Sequence, residues 1–248
     1  MMITVEHVSF AYLDRQVLRD VSFSVPANEV WALVGRSGVG KTTLLHIISG
    51  LYAPQEGRVL VEGRGNGPGR IRGVVFQEEA LLGWLTAEGN LLFPRYRGHE
   101  MAAQTAARKL LAAVGLDTRA NAYPHEFSVG MRRRLEFARA LIADDQYILA
   151  DEPFASVDAV TRSELWDLWR DLRRRERRTG LVCTHDPQEA IRLCDAVIVL
   201  DSGSTGTYLH LVEVPDSVRS LGASEVSDEL RGLERRIINM VSGHRNEP

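Results

Sequence analysis

Apolar and polar positions alternate along residues 3–10, where Ile3, Val5, Val8 and Phe10 are set among Thr4, Glu6, His7 and Ser9. A period of two is the pattern of a half-buried strand. Residues 17–25 repeat it, with Val17, Val21, Phe23 and Val25 around Ser22 and Ser24. The two segments predict an antiparallel pair joined through residues 11–16, with Tyr12 exposed in that connection. Val30-Trp31-Ala32-Leu33-Val34 is instead a continuous apolar run, the pattern of a strand buried on both faces. Residues 44–50 then read as a helix closed by Gly50. Residues 57–62 predict a further strand, and residues 71–76 another that ends on Gln77.

From about Glu78 to Ala143 the period lengthens to that of helices. Residues 105–114 place Ala106, Leu110, Leu111 and Val114 on one face, and Gly115 stops them. Residues 128–143 form a second helix. Met131, Leu135, Ala138, Leu141 and Ile142 lie on one side, and Arg132, Arg133, Arg134 and Glu136 on the other. Residues 146–150 return to a buried-type strand and end in Asp151-Glu152-Pro153. Residues 161–178 predict a long helix whose arginine-rich end, 173–178, suits solvent and the helix dipole. Residues 180–184 give a strand followed by His185. A short helix over 190–194 and a core strand over 196–200 come next, and residues 207–214 predict an edge strand. Residues 228–241 carry Leu230, Leu233, Ile237 and Ile238 on one face, an amphipathic helix expected to pack on its own domain.

Composition changes this picture little. The chain has 248 residues, 44% hydrophobic and 25% charged, with a net charge of −3. That charge offers no bulk attraction to nucleic acid or anionic lipid, so no nucleic-acid partner is expected. No apolar run reaches the roughly 18 residues of a membrane span. The N-terminus lacks the basic and apolar regions of a signal peptide, so a cytosolic chain is expected. Cys183, in an apolar segment, and Cys194, in a helix, read as two buried thiols rather than a disulfide or a metal site.

The chemistry lies between the apolar run at 30–34 and the helix after it. Gly35-Arg36-Ser37-Gly38-Val39-Gly40-Lys41-Thr42-Thr43 fits G-x-x-x-x-G-K-[ST], the phosphate-binding P-loop, in the strand–loop–helix context that confirms it. Glycines let successive N–H groups point at phosphate oxygens, and the following helix adds its positive end. Lys41 would reach the β- and γ-phosphates, and the Thr42 hydroxyl would hold Mg²⁺. The segment 63–69 has four glycines in seven residues, but no helix opens after it and no Lys-Ser/Thr follows, so it reads as a surface turn. Gln77, Asp151 with Glu152, and His185 each follow an apolar β-run. In an open α/β sheet such ends converge where ligands bind. Asp151 then has the chemistry of a Mg²⁺ ligand. Glu152 is placed to take a proton from an attacking water, and His185 to meet the γ-phosphate or that water.

These residues, in this order, resemble the nucleotide-binding subunit of an ATP-binding cassette (ABC) transporter, over nearly all of residues 1–215. Tyr12 matches the aromatic that stacks on adenine, Gly35 to Thr43 the Walker A motif, and Gln77 the glutamine that completes the Mg²⁺ site. Phe127-Ser128-Val129-Gly130-Met131 stands where the signature Leu-Ser-Gly-Gly-Gln belongs. Residues 148–153 match Walker B with its catalytic Glu152. Ala155-Ser156-Val157-Asp158 matches the D-loop, and His185 the switch histidine. The resemblance implies an α/β fold, a P-loop NTPase core with an antiparallel β subdomain and a helical subdomain. It divides the chain into an ABC ATPase domain over 1–215, its helical part at about 78–143, and a C-terminal amphipathic extension over 216–248. It implies an ATP hydrolase using ATP and Mg²⁺, with Thr42, Gln77 and Asp151 as metal ligands and Glu152, His185 and Gln77 as catalytic residues.

The resemblance also implies a second copy of the chain, with each ATP sandwiched between Walker A of one copy and Ser128, Val129, Gly130 and Met131 of the other. Transmembrane permease subunits, and through them a solute-binding protein, would be further partners at the cytoplasmic face of the membrane. The text Gln77-Glu78-Glu79-Ala80-Leu81-Leu82-Gly83-Trp84-Leu85-Thr86 and Met131 are similar to the nitrate, sulfonate and taurine importer branch. Val129 departs from the signature, whose first glycine allows close approach to phosphate and positive φ. A weakly hydrolysing or regulatory subunit is the alternative that Val129 raises, and a lipid-transport ATPase is another. A soluble ABC ATPase acting on DNA or in translation is set aside, because no coiled coil, zinc motif or second cassette is present.

Overall fold

The computed structural model describes residues 2–67, 70–71, 73–78, 80–93, 100–143, 146–155, 157–175, 177–202, 206–222 and 225–242. Pro68 and Gly69 of the glycine-rich turn, Arg72, Glu79, Ser156 and Glu176 lie outside them.

Strands β1 (Ile3–Tyr12) and β2 (Arg15–Val25) pair antiparallel. Their turn is only Leu13-Asp14, much tighter than the expected connection over 11–16, and Tyr12 is the last residue of β1 rather than a loop residue. Leu13 takes φ +51 and is 98% exposed. Nothing in its residue type announces a turn, which is why the pattern reads a longer loop. Strand β3 (Val30–Gly35) is buried at every position and leads into helix α1 (Lys41–Ile48). Strand β4 (Glu56–Val61) pairs with β1 and turns through Glu62-Gly63, both at positive φ, into the two-residue β5 (Arg64–Gly65). The antiparallel sheet has order β2-β1-β4-β5.

Strand β6 is short, Val74–Val75. The middle of the chain then builds a helical layer from α2 (Ala87–Leu92), α3 (Glu100–Ala113) and α4 (Val129–Ala143), while residues 80–86 precede the first helix without helical structure. These helices close over their own apolar cluster, which includes Leu91, Leu111, Leu116, Phe127, Leu135 and Ile142. Strand β7 (Tyr147–Asp151), helix α5 (Ala159–Arg175), strand β8 (Thr179–Thr184), helix α6 (Pro187–Leu193) and strands β9 (Ala196–Ser202) and β10 (Thr207–Glu213) complete the large sheet. Its order is β10-β9-β3-β8-β7-β6, parallel except for the antiparallel edge strand β10.

Alternate residues of the parallel strands enter two different clusters, as the period of two requires. Trp31, Leu33, Leu149, Leu181 and Ile198 pack with α1 and the antiparallel sheet. Ala32, Val34, Ile148, Val182 and Val197 pack with α5, α6 and the C-terminal helices. Those helices are α7 (Asp216–Arg219) and α8 (Asp228–Ser242). Leu230 and Ile237 of α8 are fully buried against the body, so the amphipathic helix packs on its own chain. Cys183 and Cys194 are buried free thiols. Burial pushes the Cys183 thiol well up.

One expectation of solvated charge fails, and a second group of charges is also buried. Arg178 does not end a solvated helix. It follows α5, is 6% exposed and donates to the Leu141 carbonyl at 2.9 Å. On α4, Glu136 is 4% exposed and the side chain of Arg133 only 13%. Amphipathic patterning assigns charge to solvent, but these groups answer main-chain donors and acceptors that would otherwise be buried unpaired.

Candidate functional site

The order β3-β8-β7-β6 brings four chain segments side by side at the carboxyl ends of neighbouring parallel strands. The loop Gly35–Lys41 follows β3, His185 follows β8, Asp151 and Glu152 end β7, and Gln77 follows β6. Ligands bind at such ends in open α/β sheets.

The loop is shaped by its glycines. A Cβ at Gly35 would meet the Leu200 carbonyl oxygen at 2.5 Å, so only glycine lets the loop leave β3 there. Gly40 sits at φ +109 as the N-cap of α1, and a Cβ on it would meet Leu18 at 2.7 Å. No side chain caps that helix start, so its positive end is open to an anion. Arg36, Ser37 and Gly38 are exposed around it, while Val39 is buried. Lys41 is 9% exposed and folds back on the loop, donating from Nζ to the Gly35 carbonyl at 2.9 Å and the Arg36 carbonyl at 3.3 Å.

Asp151 lies 1% exposed at the end of β7, and neither carboxylate oxygen meets a hydrogen-bond partner among the described residues. Burial pushes its pKa up, and the nearby Thr42 hydroxyl, His46 and Lys41 offset this in part. A buried, unpaired carboxylate is costly unless a cation answers it. With the Thr42 hydroxyl and the Gln77 amide it supplies oxygen donors, the set Mg²⁺ takes, so these residues fit that ion.

Glu152 follows at φ +49, a left-handed conformation rare for this residue type. Its N–H donates to the Cys183 carbonyl at 2.9 Å, so the chain turns while still paired to β8. Strain of this kind concentrates at functional sites. Its Oε2 lies 2.8 Å from Nδ1 of His185, which is 72% exposed at the side chain. Burial raises the Glu152 pKa and nearby Asp151 adds to the rise, while His185 and Lys41 oppose it. The turn carrying His185 is braced from below. The Asp186 amide donates to the Thr184 hydroxyl at 3.1 Å, that hydroxyl donates to Glu189, and Asp186 caps α6.

Other expected residues lie elsewhere or serve locally. Tyr12 is 44% exposed, with its hydroxyl 3.3 Å from Thr43 Oγ1. It belongs to an aromatic patch that the sequence did not announce: Phe10 at 5.1 Å, and Tyr52 at 6.3 Å, itself packed on His46. Gln77 is exposed, and its carbonyl accepts from Arg133. Ser128 precedes α4, and Val129, Gly130 and Met131 open it. The Met131 amide donates to Ser128 Oγ at 3.3 Å, making Ser128 the N-cap. Val129 is the first helical residue and is not among the positive-φ positions, so it carries no backbone strain. The valine is 50% exposed. Asp158 caps α5 through Val160 N, Thr161 N and Thr161 Oγ1, and the bonds from Thr161 hold its pKa below the ordinary value. Arg133, Glu136 and Arg139, which hold the main chain near Gln77, escaped the sequence reading. The one available signal was an i, i+3 Arg–Glu pair on the charged side of an amphipathic helix.

A glycine loop and four strand ends arranged in this way define a P-loop nucleoside triphosphatase. Residues 18–155 match the ABC transporter family model, and the chain belongs to that family. It is accordingly an ATP-binding, ATP-hydrolysing subunit of the ABC class. It is 40% identical to the taurine import ATP-binding protein TauB of Pseudomonas aeruginosa over 206 residues, 80% of this chain and 78% of that one. It is 37% identical to the aliphatic sulfonates import ATP-binding protein SsuB 2 of Agrobacterium fabrum over 235 residues, 94% of this chain and 86% of that one. The dimeric structure of MJ0796, a bacterial ABC transporter cassette, is similar with a TM-score of 0.72 at 29% identity, covering 79% of this chain and 93% of that chain. Among the described residues no helix is long and apolar enough to cross a membrane.

Proposed function

We propose that the chain powers an importer as one of two copies that sandwich two ATP molecules at the cytoplasmic face of the membrane. The partners in this reading are transmembrane permease subunits supplied by a solute-binding protein. The observation that carries the hydrolytic reading is the hydrogen-bonded Glu152–His185 pair, set at neighbouring strand ends beside Lys41 and the unpaired Asp151.

In this mechanism Lys41 gives up its bonds to the loop carbonyls and meets the β- and γ-phosphates, while Arg36 to Thr43 wrap them with main-chain N–H groups. Tyr12 offers its exposed face to adenine. Thr42, Gln77 and Asp151 would hold Mg²⁺, which would neutralise charge on the phosphates. Glu152 takes a proton from the water whose oxygen bonds to the γ-phosphorus as the bond to ADP breaks. His185, with Nδ1 occupied by Glu152, keeps Nε2 free for the γ-phosphate. Ser128, Val129, Gly130 and Met131 face the ATP of the other copy, where the N-terminus of α4 receives the γ-phosphate. Asp158 fixes the D-loop by capping α5.

The cargo we propose is a small sulfonate such as taurine. The names of the two relatives and the similarity of residues 77–86 to the nitrate, sulfonate and taurine branch support it. Deleting the chain in its source organism is expected to abolish growth on taurine or an alkanesulfonate as sole sulfur source. Wild-type chain then restores growth and Glu152→Gln does not. Unchanged growth and uptake after deletion would overturn the cargo.

A further inference from the structure

The main chain leaving β6 is held by one helix. Arg133 Nη1 donates to the Phe76 carbonyl at 3.1 Å and to Glu136 Oε2 at 2.9 Å, and its Nη2 donates to the Gln77 carbonyl. Glu136 Oε1 accepts from the Ala80 amide at 2.7 Å, and Arg139 Nη1 donates to the Ala80 carbonyl at 2.6 Å. The three side chains stand one turn apart along α4. Beyond them, the fully buried Asn90 takes over the same segment, accepting from the Leu82 amide at 2.8 Å and donating to the carbonyls of Leu82, Leu85 and Thr86. Carbonyls and an amide that a sheet or helix would ordinarily satisfy are thus satisfied by side chains of α4.

Arg133 is suited to this because its rigid fork reaches two carbonyls and a carboxylate at once, which a lysine cannot do. Glu136 is buried with its charge paired to Arg133 and its second oxygen bonded, so removing either partner strands the other. The consequence is mechanical. A rotation of α4 cannot leave the main chain of Gln77 behind.

We propose that Arg133, Glu136 and Arg139 form a latch that couples the two ATP sites of the dimer, through α4 within each chain. The proposal rests on the reading given above, in which the start of α4 meets ATP held by the second copy and Gln77 serves ATP held by its own. Contact of Ser128 and Gly130 with the partner's nucleotide moves α4, and the latch carries that movement to Gln77 in the chain's own site. Arg133, Glu136 and Arg139 are positioning residues and touch no nucleotide.

The test compares the full chain with Arg133→Lys and Glu136→Gln, which keep charge and shape respectively and so favour folding. Three quantities are read: the melting temperature, the affinity of the dilute monomer for ATP, and the Hill coefficient of ATP hydrolysis. The unaltered chain is expected to hydrolyse ATP with a Hill coefficient approaching the number of sites, about two. Each variant is expected to bind ATP as a monomer within about twofold of wild type, while its Hill coefficient falls to about one and turnover drops roughly tenfold, within the usual 5–150-fold range of site–site coupling. Folded variants that keep the wild-type Hill coefficient overturn the latch. So do variants whose cooperativity falls only in step with melting temperature and monomer affinity, the mark of a structural clamp. An unaltered chain that binds no ATP overturns the nucleotide-site reading instead, and the latch with it.

Discussion

At the scale of single residues, burial decides which charges matter. Glu189 is 5% exposed, and burial holds its carboxyl at about 8, with Asp186 and Glu152 adding to the rise and Thr184 and Arg162 opposing it. The folded value lies above the ordinary 4.5, so between 4.5 and 8 the native chain keeps a proton that the unfolded chain has released. Stability therefore falls as pH rises through that window. Glu189→Gln cannot ionise, so its unfolding free energy should lose this contribution to the slope, a difference on the order of a few kcal/mol by pH 8. Denaturant titrations across the window check this, and an unchanged slope contradicts it. Glu152 shifts the same way for the same cause. A general base raised by burial places the acid limb of the rate profile above 4.5, its ordinary value. A limb at or below that value, in kcat/KM against pH, argues against Glu152 as the base.

Val129 shows how one dihedral changes a reading. By residue type alone, a valine in place of a signature glycine implies strain. The structure puts it in the first turn of α4 with Ser128 as cap, where a negative φ costs nothing. What remains is steric: two methyl groups beside the helix start. Val129→Gly is expected to change stability by less than about 1 kcal/mol and to strengthen ATP-dependent dimerisation, read by light scattering. Weaker dimerisation would mean that the methyl groups pack favourably against the partner.

At the scale of elements, the chain was legible where the signal is short in sequence. The strand–loop–helix around Lys41 and the strand ends at Asp151 and His185 each lie within a few consecutive residues, and periodicity reports them directly. The elements that escaped depend on distant partners. Arg133 and Glu136 read only as the polar side of a helix, and a polar stripe ordinarily faces water. The carbonyls of Phe76 and Gln77, more than fifty positions away, make the difference. Arg178 was misread for the same reason, its partner being Leu141. The tight turn at Leu13-Asp14 failed on residue type instead. Helix α8 was legible as an amphipathic helix packed on its own domain, and the structure identifies the cluster it joins. Ile237 is fully buried in the main cluster, so Ile237→Ala should cost about 2–5 kcal/mol in global unfolding, the usual penalty for a large core truncation. A loss below about 0.5 kcal/mol would mean that α8 is peripheral to the fold.

At the scale of the whole molecule, one sheet carries two kinds of work. Its carboxyl edge gathers Lys41, Asp151, Glu152 and His185, and α4 of the helical layer packs on the same sheet and holds the main chain that leaves β6. In the reading proposed above, each ATP site is completed when a second copy brings its α4 against the first copy's loop, so hydrolysis and pairing would be one event. The C-terminal helices cover one face of the sheet.

The measurement that bears most directly on this account is steady-state ATP hydrolysis by the purified chain with Mg²⁺, beside Glu152→Gln. The account predicts turnover in the wild type and a loss of at least about 10²-fold in the variant, the usual worth of a general base, with the variant still binding ATP and trapped as an ATP-stabilised dimer. Equal turnover in both proteins, or a variant that neither turns over nor binds ATP, would contradict it.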